Sequence, residues 1–190
     1  MAEFRRLSIP DLIEIRPNRH GDARGFVSEV WSRDTLSKNG IDLLFVQDNH
    51  SYSAARGVLR GLHFQLPPFA QAKLVRVARG AVFDVAVDLR RGSPTFAHWA
   101  GLILSATEWN QLLIPAGFAH GFVTLEPDCE VLYKSSASYS PEHERGIRYD
   151  DPGIGIDWPI RSDEMILSEK DRAAPQLADA EPDFVFEQPE

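Results

Sequence analysis

The chain has 190 residues, of which 43% are hydrophobic and 25% are charged, and its formal net charge is −8. This length suits one domain with one core, and the composition is that of an ordinary globular protein. The negative charge argues against a nucleic-acid or anionic-membrane surface, because both need a basic patch, although a few clustered Arg and Lys side chains can still hold a phosphate.

Cysteine content and hydropathy narrow the class of protein further. Cys129 is the only cysteine, so an intrachain disulfide and a thiolate metal cluster are both excluded. The first residues do not resemble a signal peptide, and no apolar run approaches membrane-spanning length. We therefore expect a soluble, cytoplasmic protein that binds neither nucleic acid nor membrane.

Short apolar stretches recur along the chain between turns that contain Gly, Pro, Asn and Asp. Many are rich in β-branched and aromatic residues, and this spacing predicts a β-sandwich or barrel rather than alternating strands and helices. The predicted strands are residues 12–15, 26–31, 43–47, 58–65, 73–79, 81–89, 98–104, 111–114, 121–126 and 130–135.

Two segments have helical signals. Residues 32–39 are expected to form a short helix that Ser32 caps and Gly40 closes, and a second short helix begins at Ser168. We expect a single domain over residues 1–190 with its core at about 10–177. The acidic tail over residues 179–190 is expected to be ordered only in part, with 184–186 able to add an edge strand.

Residues 83–88 alternate between apolar side chains and acidic or small ones. We expect the apolar face in the core, and the face with Asp84 and Asp88 along water or a polar cavity. The Arg79–Gly80 turn predicts that residues 73–79 and 81–89 pair as a hairpin.

His63 stands in the apolar run Arg60-Gly-Leu-His-Phe-Gln65. Such a histidine is about as typical of a hydrogen-bonded core position as of a catalytic one. On an ideal strand it shares a face with Gly61 and Gln65 rather than with Arg60. A bulge at Gly61 would turn both Arg60 and His63 inward.

His120 follows a Pro and a Gly in residues 115–122, a turn that leads into a strand. This spacing resembles the second motif of the cupin superfamily, small double-sheet β-barrels in which that histidine often binds a metal. The first motif offers His63 alone, because Gln65 stands where metal-binding cupins carry a second His. Two histidines without a carboxylate at ligand spacing make a poor metal site, so no metal is expected.

Several further segments are ambiguous by themselves. Residues 24–29 and 47–50 are typical of solvated strands with turns. Tyr133 is typical of amphipathic packing in a strand. Asp171 fits a capping box with Ser168, which needs no enzyme.

Taken together, these segments make the chain resemble the dTDP-4-dehydrorhamnose 3,5-epimerase family. The resemblance runs from about residue 10 to residue 177, and such ordered coverage is hard to explain by chance. The matching stretches are residues 22–26, 47–51, 57–65, 71–77, 84–88, 93–96, 114–122, 133–134, 151–152, 156–159 and 167–171. It implies a mainly β fold, a cupin-type double-sheet β-barrel or jelly roll with a few short helices.

The resemblance also implies an activity and roles for four catalytic residues. The family inverts a 4-keto-6-deoxy sugar attached to dTDP, without metal or organic cofactor. His63 would take a proton beside the ketone, with Asp171 orienting its ring. Tyr133 would return a proton from the opposite face, and Lys73 would stabilise the enolate oxygen.

Substrate contacts and assembly follow from the same resemblance. Family members are homodimers that exchange N-terminal strands, so Arg24, Phe26 and Glu29 would serve the neighbour's site. The substrate-binding residues would be Arg24, Phe26, Glu29, Gln47, Asn49, Arg60, His120, Tyr139, Glu144 and Lys170, with Tyr139 stacking on the thymine.

The chemistry suits these residue types. A cation at the ketone oxygen binds the enolate-like transition state better than the substrate, and histidine titrates near working pH. Three alternatives stay open at this point: a C3-only or C5-only epimerase of a related nucleotide sugar, a metal-dependent cupin such as a dioxygenase or sugar isomerase, and a non-catalytic sugar-nucleotide binder.

Overall fold

The computed structural model describes residues 2–186, and it is mainly β. Two antiparallel sheets dominate, and the helices α1 (Arg33–Ser37) and α2 (Glu169–Arg172) are short. The strands within the described residues are β1 (Glu3–Arg6), β2 (Ile13–Arg16), β3 (His20–Asp22), β4 (Gly25–Val27), β5 (Gln47–Ser53), β6 (Leu59–Gln65), β7 (Lys73–Arg79), β8 (Ala81–Asp88), β9 (Trp99–Ser105), β10 (Gln111–Ile114), β11 (Phe118–Thr124), β12 (Cys129–Ser135) and β13 (Glu144–Gly146).

The first sheet has the order β1-β2-β10-β7-β12-β5 and the second has the order β13-β6-β11-β8-β9. Side chains from both inner faces form one core, in which Val75 and Val131 of the first sheet meet Ala86 and Phe122 of the second. Two facing antiparallel sheets of this kind are a cupin-type jelly roll, so the predicted fold class is confirmed.

Both faces of β8 are buried, so the expectation that one face of this strand would line water is wrong. Val85 and Val87 pack under the C-terminal part of the chain with Ile154 and Phe184. Asp84 faces the space between the two sheets and is fully buried. The expected polar cavity therefore lies inside the barrel, and no face of this strand is left to open water.

The predicted hairpin between residues 73–79 and 81–89 is wrong. β7 pairs with β10 and β12, whereas β8 pairs with β9 and β11. Gly80, at φ +76°, carries the chain from one sheet to the other, and a Cβ there would lie 2.6 Å from Cys129 Sγ. The turn joins the two sheets because β7 and β8 must each direct one face into the shared core.

Most strand predictions are confirmed within one to three residues, but two are not. Residues 43–47 do not form a strand before Gln47, because Leu43 and Phe45 cover the outer face of the first sheet. The strand is the polar segment β5 that follows. Of residues 26–31, only 26 and 27 are in a strand, in the separate hairpin β3–β4.

The short helices match their signals. Ser32 Oγ accepts from Thr35 N at 3.4 Å at the start of α1, and Gly40 follows at φ +76°. Of the predicted edge strand 184–186, the structure has one bridge, between Arg91 and Val185. The last part of the predicted acidic tail, residues 187–190, lies outside the described residues. No helix within residues 2–186 is long and apolar enough to cross a membrane.

Candidate active site

A bulge in β6 sets the position of His63. His120 of β11 lies opposite His63 and Phe122 lies opposite Arg60, so three steps on β6 face two on β11. The extra residue falls at Gly61, at φ +124°, where a Cβ would lie only 2.6 Å from the Gly121 Cα. Arg60 and His63 therefore both line the cleft between the sheets, as the proposed bulge requires.

Asp171 holds the ring of His63. Its Oδ1 lies 2.6 Å from His63 Nε2, and its side chain is 6% exposed against 29% for His63. A carboxylate can only accept, so Nε2 carries the proton and Nδ1 is left as the basic nitrogen. Burial alone would raise the pKa of Asp171, but the hydrogen bond and charge of His63 hold it below its ordinary value.

Asp171 also serves the helix. Its backbone N–H donates to Ser168 Oγ at 3.1 Å, which is half of the predicted capping box. The Asp171 carboxylate accepts from His63 Nε2, and a side-chain hydrogen bond with Ser168 adds to the lowering of its pKa. One residue therefore caps the helix with its backbone and orients the histidine with its carboxylate.

Tyr133 and Lys73 lie on the opposite wall, on neighbouring strands of the first sheet. The Lys73 ammonium is 6.0 Å from the centroid of the Tyr133 ring. Burial lowers the pKa of Lys73 to about 8, although the negative charges of Asp84 and Glu144 act to raise it. Burial raises the pKa of Tyr133, so its phenol keeps its proton at neutral pH.

Two adjoining cavities of about 410 and 260 Å³ form the cleft, and both include His63, Lys73 and Tyr133. A larger cavity of about 780 Å³ lies elsewhere, around residues 151–153 and 176–183, and none of the predicted site residues line it. The cleft brings together these predicted residues: His63, Tyr133, Asp171, Lys73, Gln47, Asn49, Arg60, His120, Tyr139, Glu144 and Lys170.

Glu144 organises the rim of the cleft. It accepts from the Tyr139 hydroxyl at 2.7 Å and pairs with the ammonium of Lys170. Burial opposes ionisation of Glu144, but these two partners lower its pKa below the ordinary value. Gln47 Oε1 accepts from Tyr139 N at 2.8 Å, which fixes the exposed tyrosine ring beside the opening.

Two polar atoms at the cleft have no hydrogen-bond partner among residues 2–186. They are Asn49 Nδ2 and Ser135 Oγ, and both are buried. Unpaired buried groups are costly, so both are suited to meet a polar ligand or water. Sequence reasoning missed Ser135, although it stands two residues after Tyr133 and so shares its face of β12.

Arg24, Phe26 and Glu29 are not in the cleft of their own protomer. Arg24 is exposed and pairs with Asp22. Phe26 makes an edge-to-face contact with Trp109, at 4.9 Å between centroids. Glu29, just after the hairpin, accepts from Thr35 at 2.8 Å.

His120 faces the cleft with a buried partner behind it. Both carboxylate oxygens of Asp84 lie 3.0 Å from His120 Nε2. No group of three or more His, Cys, Asp or Glu side chains within residues 2–186 is arranged to hold a metal ion. The arrangement offers a base, an opposing hydroxyl acid and a cation, which together suit proton transfer beside a carbonyl.

Several known proteins that are similar to this chain are named as sugar epimerases. A family model described as dTDP-4-dehydrorhamnose 3,5-epimerase matches residues 6–179. Proteins of that name from Pseudomonas aeruginosa and Sinorhizobium fredii are 55% and 52% identical, covering 93% and 96% of this chain and 96% and 93% of their own. The crystal structure of dTDP-6-deoxy-D-glucose-3,5-epimerase from Legionella pneumophila in complex with dTDP-4-keto-L-rhamnose has TM-score 0.89 and 46% identity, covering 94% of both chains. This chain belongs to the dTDP-4-dehydrorhamnose 3,5-epimerase family.

Proposed function

We propose that this chain inverts C3 and C5 of dTDP-4-dehydro-6-deoxy-D-glucose and so makes dTDP-4-dehydro-L-rhamnose. The observation that carries the proposal is the cleft itself: the pair His63–Asp171 lies on one sheet and Tyr133 on the other, with Lys73 beside it. Family membership supports the same reaction.

His63 acts as the base. Its Nδ1 takes the proton from the carbon next to the ketone, and the electron pair moves to the ketone oxygen. Asp171 stabilises the imidazolium that forms, through the 2.6 Å bond to Nε2. Histidine suits this work because its ordinary pKa lies near neutral pH.

Lys73 stabilises the enolate oxygen. A fixed positive charge helps most where negative charge develops in the transition state, and loss of one such contact commonly costs about 3–4 kcal/mol. The ammonium is charged below pH about 8. Its position deep in the cleft strengthens the interaction, because little water screens it there.

Tyr133 returns a proton to the opposite face of the carbon. A single base that gave back its own proton would restore the starting configuration, so inversion needs a second group on the other side. Burial raises the pKa of Tyr133, which keeps the acid loaded at neutral pH. Repetition of the two steps at C3 and at C5 gives the double inversion.

The nucleotide lies toward the open side of the cleft. Arg60 and Lys170 supply positive charge for the diphosphate, and Tyr139 stacks on the thymine. Gln47, Asn49, His120 and Glu144 contact the sugar and its carrier. The Legionella relative, whose structure contains dTDP-4-keto-L-rhamnose, supports a dTDP-linked ligand.

The active form is a homodimer that exchanges its N-terminal strands. This assembly explains why Arg24, Phe26 and Glu29 lie outside their own cleft, since each would complete the partner's site. The exposed hairpin supports it, because Phe26 and Val27 are 48% and 75% exposed. A cytoplasmic location belongs to the same proposal, since a charged nucleotide sugar does not cross a lipid core unaided.

A mixing experiment tests the shared site. Arg24→Ala and His63→Ala homodimers should each be nearly inactive, and co-refolding them should restore activity, because each mixed dimer contains one site with neither defect. A control mixture of His63→Ala with Asp171→Asn should gain no activity beyond that of its parents, because both residues belong to the same protomer's wall and each mixed site keeps one defect. No recovery in the first mixture would contradict strand exchange.

Heavy water tests the reaction and separates it from its nearest alternative. The wild-type protein should incorporate solvent deuterium at both C3 and C5 of dTDP-4-keto-6-deoxyglucose. Proton NMR measures this as the loss of the proton signals at the two carbons. Incorporation at one carbon only would support the C3-only or C5-only epimerase. Addition of a reductase that consumes the product should then draw the equilibrium toward the L-sugar.

A further inference from the structure

Asp84 is a buried carboxylate that none of the roles above uses. It lies on β8, is fully buried and faces the space between the two sheets. The single hydrogen-bond donor to its side chain among residues 2–186 is His120 Nε2, at 3.0 Å from each oxygen. Asp84 is not among the residues that line the cleft, so it reaches the site only through its neighbours.

We propose that Asp84 is a positioning residue of this reaction: its carboxylate fixes the ring of His120 and supplies a buried negative charge on the sheet opposite Lys73. The inference rests on the proposed function, because it explains how the cleft keeps the cation that the enolate needs.

Asp84 determines which ring nitrogen of His120 carries the proton. A carboxylate only accepts hydrogen bonds, so Nε2 must carry the proton and Nδ1 is left as an acceptor. Burial lowers the pKa of His120 in spite of Asp84, so the ring is neutral at neutral pH. Asp84 thereby sets the tautomer with which His120 meets a hydroxyl of the sugar or the ammonium of Lys73.

The effect on Lys73 follows from the charges around the cleft. Arg60 and His63 face it from β6, His120 from β11, Tyr133 from β12, Glu144 from β13, and Lys170 with Asp171 from α2. Two of the carboxylates already have cationic or ionisable partners, since Asp171 bonds His63 and Glu144 pairs with Lys170.

Asp84 and Lys73 carry opposite charges, and neither has a strongly charged partner among residues 2–186. Asp84 has only the neutral imidazole of His120 as a partner, and Lys73 makes no salt bridge within the described residues. Asp84 is the stronger of the two attractions that oppose the loss of the Lys73 proton, ahead of Glu144. Removing its charge would leave burial to act on the ammonium almost alone.

Asp84→Asn in the full-length protein tests the proposal, with Asp88→Asn as the matched control. Both remove a fully buried carboxylate from β8, but Asp88 binds Arg90, Ser93 and Thr95 away from the cleft. The wild-type kcat should fall above pH about 8 as Lys73 loses its proton. In Asp84→Asn this limb should move down by about 1 pH unit, the usual effect of a lost neighbouring charge.

The control separates positioning from stability. Asp88→Asn should lower the melting temperature and leave the alkaline limb of kcat in place. A pH profile for Asp84→Asn with the wild-type limb, even at lower overall kcat, would overturn the assignment and leave Asp84 a purely structural residue.

Two further measurements need neither turnover nor a folded variant. Nitrogen-15 NMR of histidine-labelled wild-type protein should show His120 as the Nε2–H tautomer; the Nδ1–H tautomer would overturn the proposal. Carbon-13 NMR of labelled lysine should give a titration midpoint for Lys73 near pH 8 in ligand-free protein. If the wild type fails to epimerise the sugar, the proposed function falls, while these spectra still decide the role of Asp84.

Discussion

Asp171→Asn is the substitution that most directly probes the pair at the centre of the cleft. The amide keeps the shape of the side chain and its backbone N–H, so the cap on Ser168 at 3.1 Å survives. What it removes is the charge that lies 2.6 Å from His63 Nε2. The loss falls on the transition state, because the imidazolium forms only when His63 takes the proton.

The expected size follows from the bond that is weakened. A hydrogen bond to a charged group contributes about 1.5–3 kcal/mol. A loss of that size in the transition state lowers kcat by about 10- to 150-fold, since each 1.36 kcal/mol is tenfold. Solvent-deuterium incorporation followed by NMR measures this rate at a single saturating concentration of the dTDP-linked keto sugar.

Glu169→Gln is the matched control. It removes a carboxylate from the first turn of the same helix, at an exposed position that has no contact with His63. This variant should exchange deuterium at the wild-type rate. An Asp171→Asn protein that is folded and exchanges within about twofold of wild type would refute the reasoning, because the carboxylate would then contribute less than about 0.5 kcal/mol.

The remaining predictions concern the opposite wall, the rim and the bulge. Tyr133→Phe should keep much of the deuterium exchange but lose net inversion, which a coupled reductase assay reads as missing L-sugar; normal inversion would remove Tyr133 as the acid. Glu144→Gln should raise KM more than it lowers kcat, because it frees Tyr139 at the rim; steady-state kinetics with an unchanged KM would contradict this. Gly61→Ala should cost more than about 3 kcal/mol of unfolding free energy in urea, since strain adds to a backbone clash at 2.6 Å. Gly155→Ala, at φ +64° in open space, should cost only about 1 kcal/mol, and equal costs would show that the clash is not real.

Local signals predicted the strands and the site well where pattern and contact coincide. The caps at Ser32 and Ser168 depend on neighbours in sequence, and the structure has them. The alternation in residues 83–88 predicted a strand, but not that both faces of this strand are buried. The grouping of His63 with Asp171, which are 108 residues apart, came from the family resemblance and not from any spacing rule.

Other features could not be read from the chain because they depend on distant packing. The turn at Gly80 looks like a hairpin turn, and only the competition of β10, β12, β9 and β11 for pairing sends its two strands to different sheets. Leu43 and Phe45 look like a strand because they are apolar, but they cover a sheet instead of joining one. Asp84 looked like one acidic residue on a polar face, and its importance appears only with His120 in place.

The role of His63 as the base is tested most directly by comparing wild-type protein with His63→Ala in heavy water, with dTDP-4-keto-6-deoxyglucose as substrate. NMR should show deuterium entering C3 and C5 with the wild type and almost none at either carbon with His63→Ala, while circular dichroism shows that the variant is folded. Exchange at the wild-type rate in His63→Ala would contradict the claim that His63 is the base.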